Sequence, residues 1–176
     1  MTLLEIESLV EGAHLGQFYG ALSYFEGHIL PVVKILKDYG YDDLDTLAGA
    51  YLHDVLEDTL TTEFNLMNAG ISVDALAIAV FCKDIPGPNR KTRKALTYAH
   101  MKFVVHASFV TDLTRKAMRV KLADRIANLR ACKVSGDSLL KMYQKESVAF
   151  KDALYMPGWA DAMWIEYDKL IGVPNE

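Results

Sequence analysis

The chain has 176 residues, 51% of them hydrophobic and 24% charged, which is the composition of a globular protein with enough sequence for one full core. A formal net charge of −4 excludes the domain-wide basic surface of a general nucleic-acid binder. The acidic start Met-Thr-Leu-Leu-Glu-Ile-Glu is the reverse of a signal peptide, and no stretch approaches the roughly 20 apolar residues of a bilayer span, so a cytoplasmic protein with neither nucleic-acid nor membrane partners is expected.

In chain order, Leu3, Leu4, Ile6, Leu9, Val10 and Ala13 recur at helical spacing. Val32, Val33, Ile35 and Leu36 repeat the pattern up to Gly40, a plausible stop, and Asp42-Asp43 opens a helix over 44–57. Thr61-Thr62-Glu63 starts a short helix that Asn68-Ala69-Gly70 ends, and Ser72 is a candidate N-cap for the next. Ile85-Pro86-Gly87-Pro88-Asn89 is the one strong break. A helix over 89–107 should follow, then others near 113–131, 137–154 and 158–171. Alternating strand patterns are nearly absent, so the expected fold is all-α, a single helical domain over 1–176 with a motif-bearing core at about 9–131. The aromatic 156–164 stretch reads as core packing, with a homo-oligomer face as the alternative. Cys82 and Cys132 lack C-x-x-C spacing and read as small core residues rather than a zinc knuckle or disulfide framework.

Two polar patches interrupt this apolar pattern. In Leu52-His53-Asp54-Val55-Leu56-Glu57-Asp58-Thr59, an imidazole and three carboxylates fall within six residues. A continuous helix would set His53 above Glu57 and Asp54 above Asp58. Burying them together is costly unless a cation or hydrogen bonds compensate, which points to a divalent metal. An exposed acidic helix end with a capping His is the bland alternative. The second patch is Val120-Lys121-Leu122-Ala123-Asp124-Arg125-Ile126-Ala127-Asn128-Leu129-Arg130, where Lys121, Asp124, Arg125 and Asn128 lie within i+3 or i+4 reach. Spacing alone makes this an ordinary amphipathic helix, and His28 alone an ordinary capping or core residue.

Taken together with His14-Leu15-Gly16-Gln17 and the fourteen-residue step from His14 to His28, these segments resemble the HD-domain phosphohydrolases. The closest likeness is to the RelA/SpoT-type hydrolase domain and its small standalone relatives, which remove pyrophosphate from the 3′ position of ppGpp. The resemblance implies that His28, His53, Asp54 and Asp124 hold a metal, with Mn²⁺ the first expectation and Zn²⁺, Co²⁺ and Fe²⁺ also suited to an N/O donor set. It implies that Glu57 and Asp58 orient and deprotonate the attacking water. Asn128 would hold the substrate sugar or phosphate, and Lys83, Arg90 and Lys121 are candidate phosphate contacts. The chain departs from the family pattern at Tyr19, where an Arg packs on the guanine, at Ile29, where a Pro follows the metal His, and at Ala127, where an aromatic or His is usual. Tyr19 could still stack on a purine. The expected activity is therefore metal-dependent hydrolysis of a phosphorylated purine nucleotide, ppGpp first. The alternatives are a dNTP, dNMP or NADPH phosphatase, or a non-catalytic nucleotide-binding module.

Overall fold

Helix α1, Leu3–Ala13, starts on a capping box in which the Thr2 hydroxyl accepts from Glu5 N–H and the Glu5 carboxylate accepts from Thr2 N–H at 2.7 Å. The computed structural model describes residues 1–107, 111–136 and 138–172. Backbone proximity divides the chain into two units, Met1–Lys83 and Asp84–Glu176.

In the first unit α1 is followed by a minimal antiparallel hairpin, β1 (Phe18–Tyr19) and β2 (Leu22–Ser23), with Tyr19 opposite Leu22. A π-helical turn, Phe25–Ile29, leads into α2, Leu30–Asp38. Next come α3 (Leu44–Leu52), α4 (Val55–Asp58), α5 (Glu63–Asn68) and α6 (Val73–Cys82). Helix α3 is the centre of this unit, since Thr46 to Leu52 are all buried and α1, α2 and α6 pack around it. Asp43 fixes its start, accepting from Thr46 N–H at 3.2 Å and from the Thr46 hydroxyl at 2.6 Å. Gly49 is where α6 comes closest: a Cβ there would lie 2.7 Å from Ile78 Cβ.

The second unit holds α7 (Arg90–Val105), α8 (Asp112–Ser135), α9 (Leu139–Leu154) and α10 (Asp161–Ile171). Met118, Leu122, Ile126 and Leu129 form the apolar stripe of α8 and are fully buried. Tyr98, Phe150, Trp164 and Tyr167 build an aromatic cluster of edge and tilted contacts with centroids 5.3–5.9 Å apart. Trp164 and Met163 are thus core, as expected of the 156–164 stretch. Cys82 and Cys132 are buried thiols outside any disulfide. No helix among the described residues is long and apolar enough to cross a membrane.

The expected all-α fold is the one observed, with Ser72 capping α6 through Ala75 N–H at 3.1 Å. The expected start of the ninth helix at 137 lies outside the described residues. Three features differ from the sequence reading. The 44–57 helix is interrupted after Leu52, a π-helical turn carries His28, and a two-residue hairpin precedes it. Both strands are too short to show an alternating pattern.

Gly49→Ala should cost about 1–3 kcal/mol by forcing α3 and α6 apart. Gly12→Ala in α1 meets open space, so it should be neutral or stabilising by roughly 0.5–1 kcal/mol. Urea midpoints of the two variants against wild type measure both.

Candidate metal centre

The break in the motif helix has a local cause. His53 Nδ1 lies 2.7 Å from the Ala50 carbonyl, which can only accept, so Nδ1 carries the proton and donates. That carbonyl is the one Asp54 N–H would take in a continuous α-helix, and the imidazole competes for it. The ladder restarts as α4, where Asp58 N–H donates to the Asp54 carbonyl at 2.8 Å. With its proton on Nδ1, His53 presents the lone pair of Nε2 inward, the orientation that a carbonyl behind a metal-ligating His provides.

His28 Nε2 is 3.2 Å from His53 Nε2 and 3.2 Å from Asp54 Oδ2, and His53 Nε2 is 3.1 Å from the same Asp54 oxygen. Three donor atoms thus form a nearly equilateral triangle, with both imidazoles buried. Bonds of about 2.1 Å to one first-row ion, at octahedral or tetrahedral angles, separate neighbouring donors by about 3.0–3.4 Å, so the triangle has the size such an ion needs. The chemistry fits as well, since two neutral imidazoles and a carboxylate form an N/O set for a borderline divalent cation. Burial alone would raise the Asp54 carboxyl, but with no ion between them a protonated His53, first by its charge and then with His28 by hydrogen bonds, outweighs burial and holds the group well below the usual carboxylate range.

Tyr24 joins this triangle to the second acid. Its hydroxyl is 2.6 Å from Asp54 Oδ2 and 3.3 Å from Asp58 Oδ2. Partial burial of its carboxyl group pushes Asp58 up although the residue as a whole reaches solvent, the negative charge of Asp54 adds to that, and the Tyr24 hydrogen bond pulls the other way. Gln17 ties the hairpin's entry to the same acid: its amide donates to the Asp58 carbonyl at 2.7 Å while its Oε1 accepts from His14 Nδ1 at 2.8 Å. His14 is buried and stacks on Tyr24 with centroids 4.9 Å apart. Glu57 and Asp58 are solvent-exposed rather than buried as the motif suggested, and with Gln17, Thr59 and Asn65 they line a cavity of about 520 Å³.

Tyr19 stacks on His28 at 5.2 Å and 21°. This contact depends on Gly27, where a Cβ would lie 2.9 Å from Tyr19 Cβ and 3.0 Å from its carbonyl oxygen. Lys83 ends α6, half-buried.

In the second unit, Asp124 is buried on α8 between two partners one turn away. Lys121 Nζ is 3.0 Å from its Oδ2, and Asn128 Nδ2 donates to its Oδ1 at 2.6 Å. Arg125 points elsewhere, donating to the Tyr98 hydroxyl at 2.8 Å and lying over the rings of Phe150 and Tyr143. Arg90 is bound to Glu146 through Nε at 2.9 Å and Nη2 at 3.2 Å.

A metazoan ortholog of SpoT that hydrolyzes ppGpp and plays a role in starvation responses has a similar structure, with a TM-score of 0.78 at 21% sequence identity over 98% of this chain and 96% of that one. The two share one fold. No family model matches this sequence, and no curated protein matches it by sequence comparison.

Sequence reasoning did not identify Tyr24, whose hydroxyl reaches both acids. Its only signal is an aromatic four residues before His28. Gln17 was visible within the His14-Leu15-Gly16-Gln17 segment, although its bond to the Asp58 backbone was not.

Tyr24→Phe tests the bridge. An acid whose folded pKa is raised contributes stability below its unfolded pKa, near 3.8 for Asp58, and loses it as pH rises through the folded value. Without the hydroxyl the Asp58 carboxyl rises further, so at pH 7 this solvent-exposed acid should make the variant less stable than wild type by about 0–1 kcal/mol. The gap should narrow as pH falls toward 4. Denaturation at the two pH values measures it, and an equal loss at both would deny Tyr24 this role.

Proposed function

We propose that this chain is a divalent-metal-dependent phosphohydrolase of a phosphorylated purine nucleotide, with the 3′-pyrophosphate of ppGpp as the first substrate to examine. The observation that carries the reading is the His28–His53–Asp54 donor triangle with Asp58 attached through Tyr24. The fold shared with a ppGpp hydrolase supports it. Asp124, a buried carboxylate suited to metal ligation, is the proposed fourth ligand. Mn²⁺ is the proposed ion.

When bound, such an ion would supply a Lewis acid for phosphoryl oxygens and lower the pKa of a water molecule. The residues divide the remaining work. His53 is oriented for ligation by the Ala50 carbonyl, and Asp54 supplies the carboxylate that completes the donor triangle. Asp58, with its carboxyl raised toward neutrality, accepts a proton from water more readily than an ordinary aspartate does. Glu57 shares the cavity with it and is the second proton-handling carboxylate. Asn128 positions Asp124, and Lys121 has three donors, so its bond to Asp124 is compatible with a phosphate contact. Lys83 and Arg90 are the further proposed phosphate contacts.

Tyr19 is assigned to the substrate side with a restriction. One ring face lies on His28, so at most the other can take a base. Stacking tolerates any base, because every base offers a π-face, which keeps other purine nucleotides such as NADPH or dNTPs as a second reading.

Release of pyrophosphate from ppGpp, of phosphate from NADPH and of phosphate or polyphosphate from dNTPs, with Mn²⁺ supplied, tests the activity, and no turnover of any of them would overturn it. Glu57→Gln should keep bound metal yet lose roughly 10²–10⁴-fold in kcat. Asp54→Asn and Asp124→Ala should each lose metal, measured by elemental analysis. Full occupancy in Asp124→Ala would remove that residue from the ligand set.

A further inference from the structure

Asp58 closes α4, a helix of four residues with too few hydrogen bonds to hold its own last turn. The chain turns to extended backbone at Thr59, so the final carbonyls of α4 lie beyond the reach of a helical N–H. Two side chains serve them instead. The Thr59 hydroxyl donates to the Val55 carbonyl at 2.7 Å, and the Gln17 amide, 41 residues away in sequence, donates to the Asp58 carbonyl at 2.7 Å. With the Tyr24 hydroxyl 3.3 Å from its Oδ2, Asp58 is gripped at its backbone and at its carboxylate.

Both grips come from one short segment. The Gln17 carbonyl accepts from Tyr24 N–H at 2.9 Å, and Gln17 N–H donates to the His14 carbonyl at 3.0 Å, a tight turn that brings the amide back beside the His14 ring. The protons along this chain of bonds follow from its far end. The Asp58 carbonyl can only accept, so the NH₂ end of Gln17 faces it and Oε1 faces His14. Oε1 in turn can only accept, so His14 Nδ1, 2.8 Å away, carries the ring proton. In the neutral ring Nε2 keeps the lone pair, buried and without a hydrogen-bond partner among the described residues. The imidazole is 2% exposed and lies on the Tyr24 ring at 4.9 Å and 23°, so it braces both grips at once.

We propose that His14 and Gln17 are positioning residues for Asp58: His14 Nδ1–H fixes which end of the Gln17 amide faces α4, and that amide fixes the helix end from which the Asp58 carboxylate projects. The inference rests on the hydrolase reading above, in which Asp58 takes a proton from water. Without the His14 proton the amide can rotate by half a turn, which sets Oε1 against the Asp58 carbonyl and releases the end of α4. The sequence placed His14 and Gln17 in the segment that carries the family resemblance without giving either a task, because the bond that gives them one spans two distant parts of the chain.

The test is steady-state kinetics of the full chain on ppGpp, NADPH and dNTPs with Mn²⁺ supplied, with metal content and Tm measured beside it. Gln17→Met keeps the length of the side chain and cannot donate, while His14→Phe keeps a ring on Tyr24 and removes the Nδ1–H. Each should lose about 10-fold or more in kcat, with KM and metal content near wild type. His14→Asn keeps an N–H donor and gives up the ring, so it should recover most of the kcat lost in His14→Phe. Independently of turnover, ¹⁵N spectra of the wild-type chain should show His14 as the Nδ1–H tautomer. The Nε2–H tautomer, or unchanged kcat in a folded Gln17→Met, overturns the positioning role and leaves the hydrolase reading standing. Equal losses in His14→Asn and His14→Phe do the same, as does a kcat that falls only in step with metal content or Tm, the mark of a merely structural pair. No turnover by the wild type overturns the hydrolase reading and this role with it.

Discussion

Two imidazole nitrogens and a carboxylate oxygen, mutually 3.1–3.2 Å apart, set the terms for everything around them in the first unit. Lone pairs held that close repel unless a positive charge is shared among them, and burial of both rings removes water as the moderator. The surrounding structure holds the arrangement in place. The Ala50 carbonyl fixes the tautomer of His53 at the expense of helix continuity, the π-helical turn carries His28, and the Tyr24 hydroxyl donates to the acids from outside the triangle. Each departs from regular secondary structure or uses a polar atom inside a packed region, and each is explained by the same three donors.

Much of the fold was legible because helix boundaries here rest on local chemistry. Thr2, Asp43, Thr62, Ser72, Asn89 and Thr111 each accept from a backbone N–H three residues on, and such caps can be read from one sequence. The break at His53 was not legible, because propensity and period both favour continuation through Leu52, His53 and Asp54. What stops the helix is a side-chain hydrogen bond that only the folded backbone reveals. The hairpin escaped notice for a different reason, since two residues per strand are too few for any period to register.

The candidate site was legible in its donors and not in its supports. His53 and Asp54 announce themselves as adjacent polar residues in an apolar run, whereas Tyr24 and Gly27 look like ordinary members of a mixed segment. Gly27 matters only because the Tyr19 backbone passes over it at contact distance. Arg125 illustrates the limit in the second unit. Spacing grouped it with Lys121, Asp124 and Asn128, but its guanidinium turns into the aromatic cluster, where Tyr98, Glu146 and two ring faces receive it. Periodicity assigns a residue to a face of a helix, and a long side chain can leave that face.

The two thiols give each unit a built-in clock. Cys82 closes α6 in the first unit and Cys132 lies near the end of α8 in the second, both shielded from solvent and outside any disulfide. A thiol reagent reaches either one only when its own helix opens, so labelling rates followed residue by residue report opening of the two halves separately. Because no third cysteine exists to blur the signal, the native sequence can be used for that measurement without substitution.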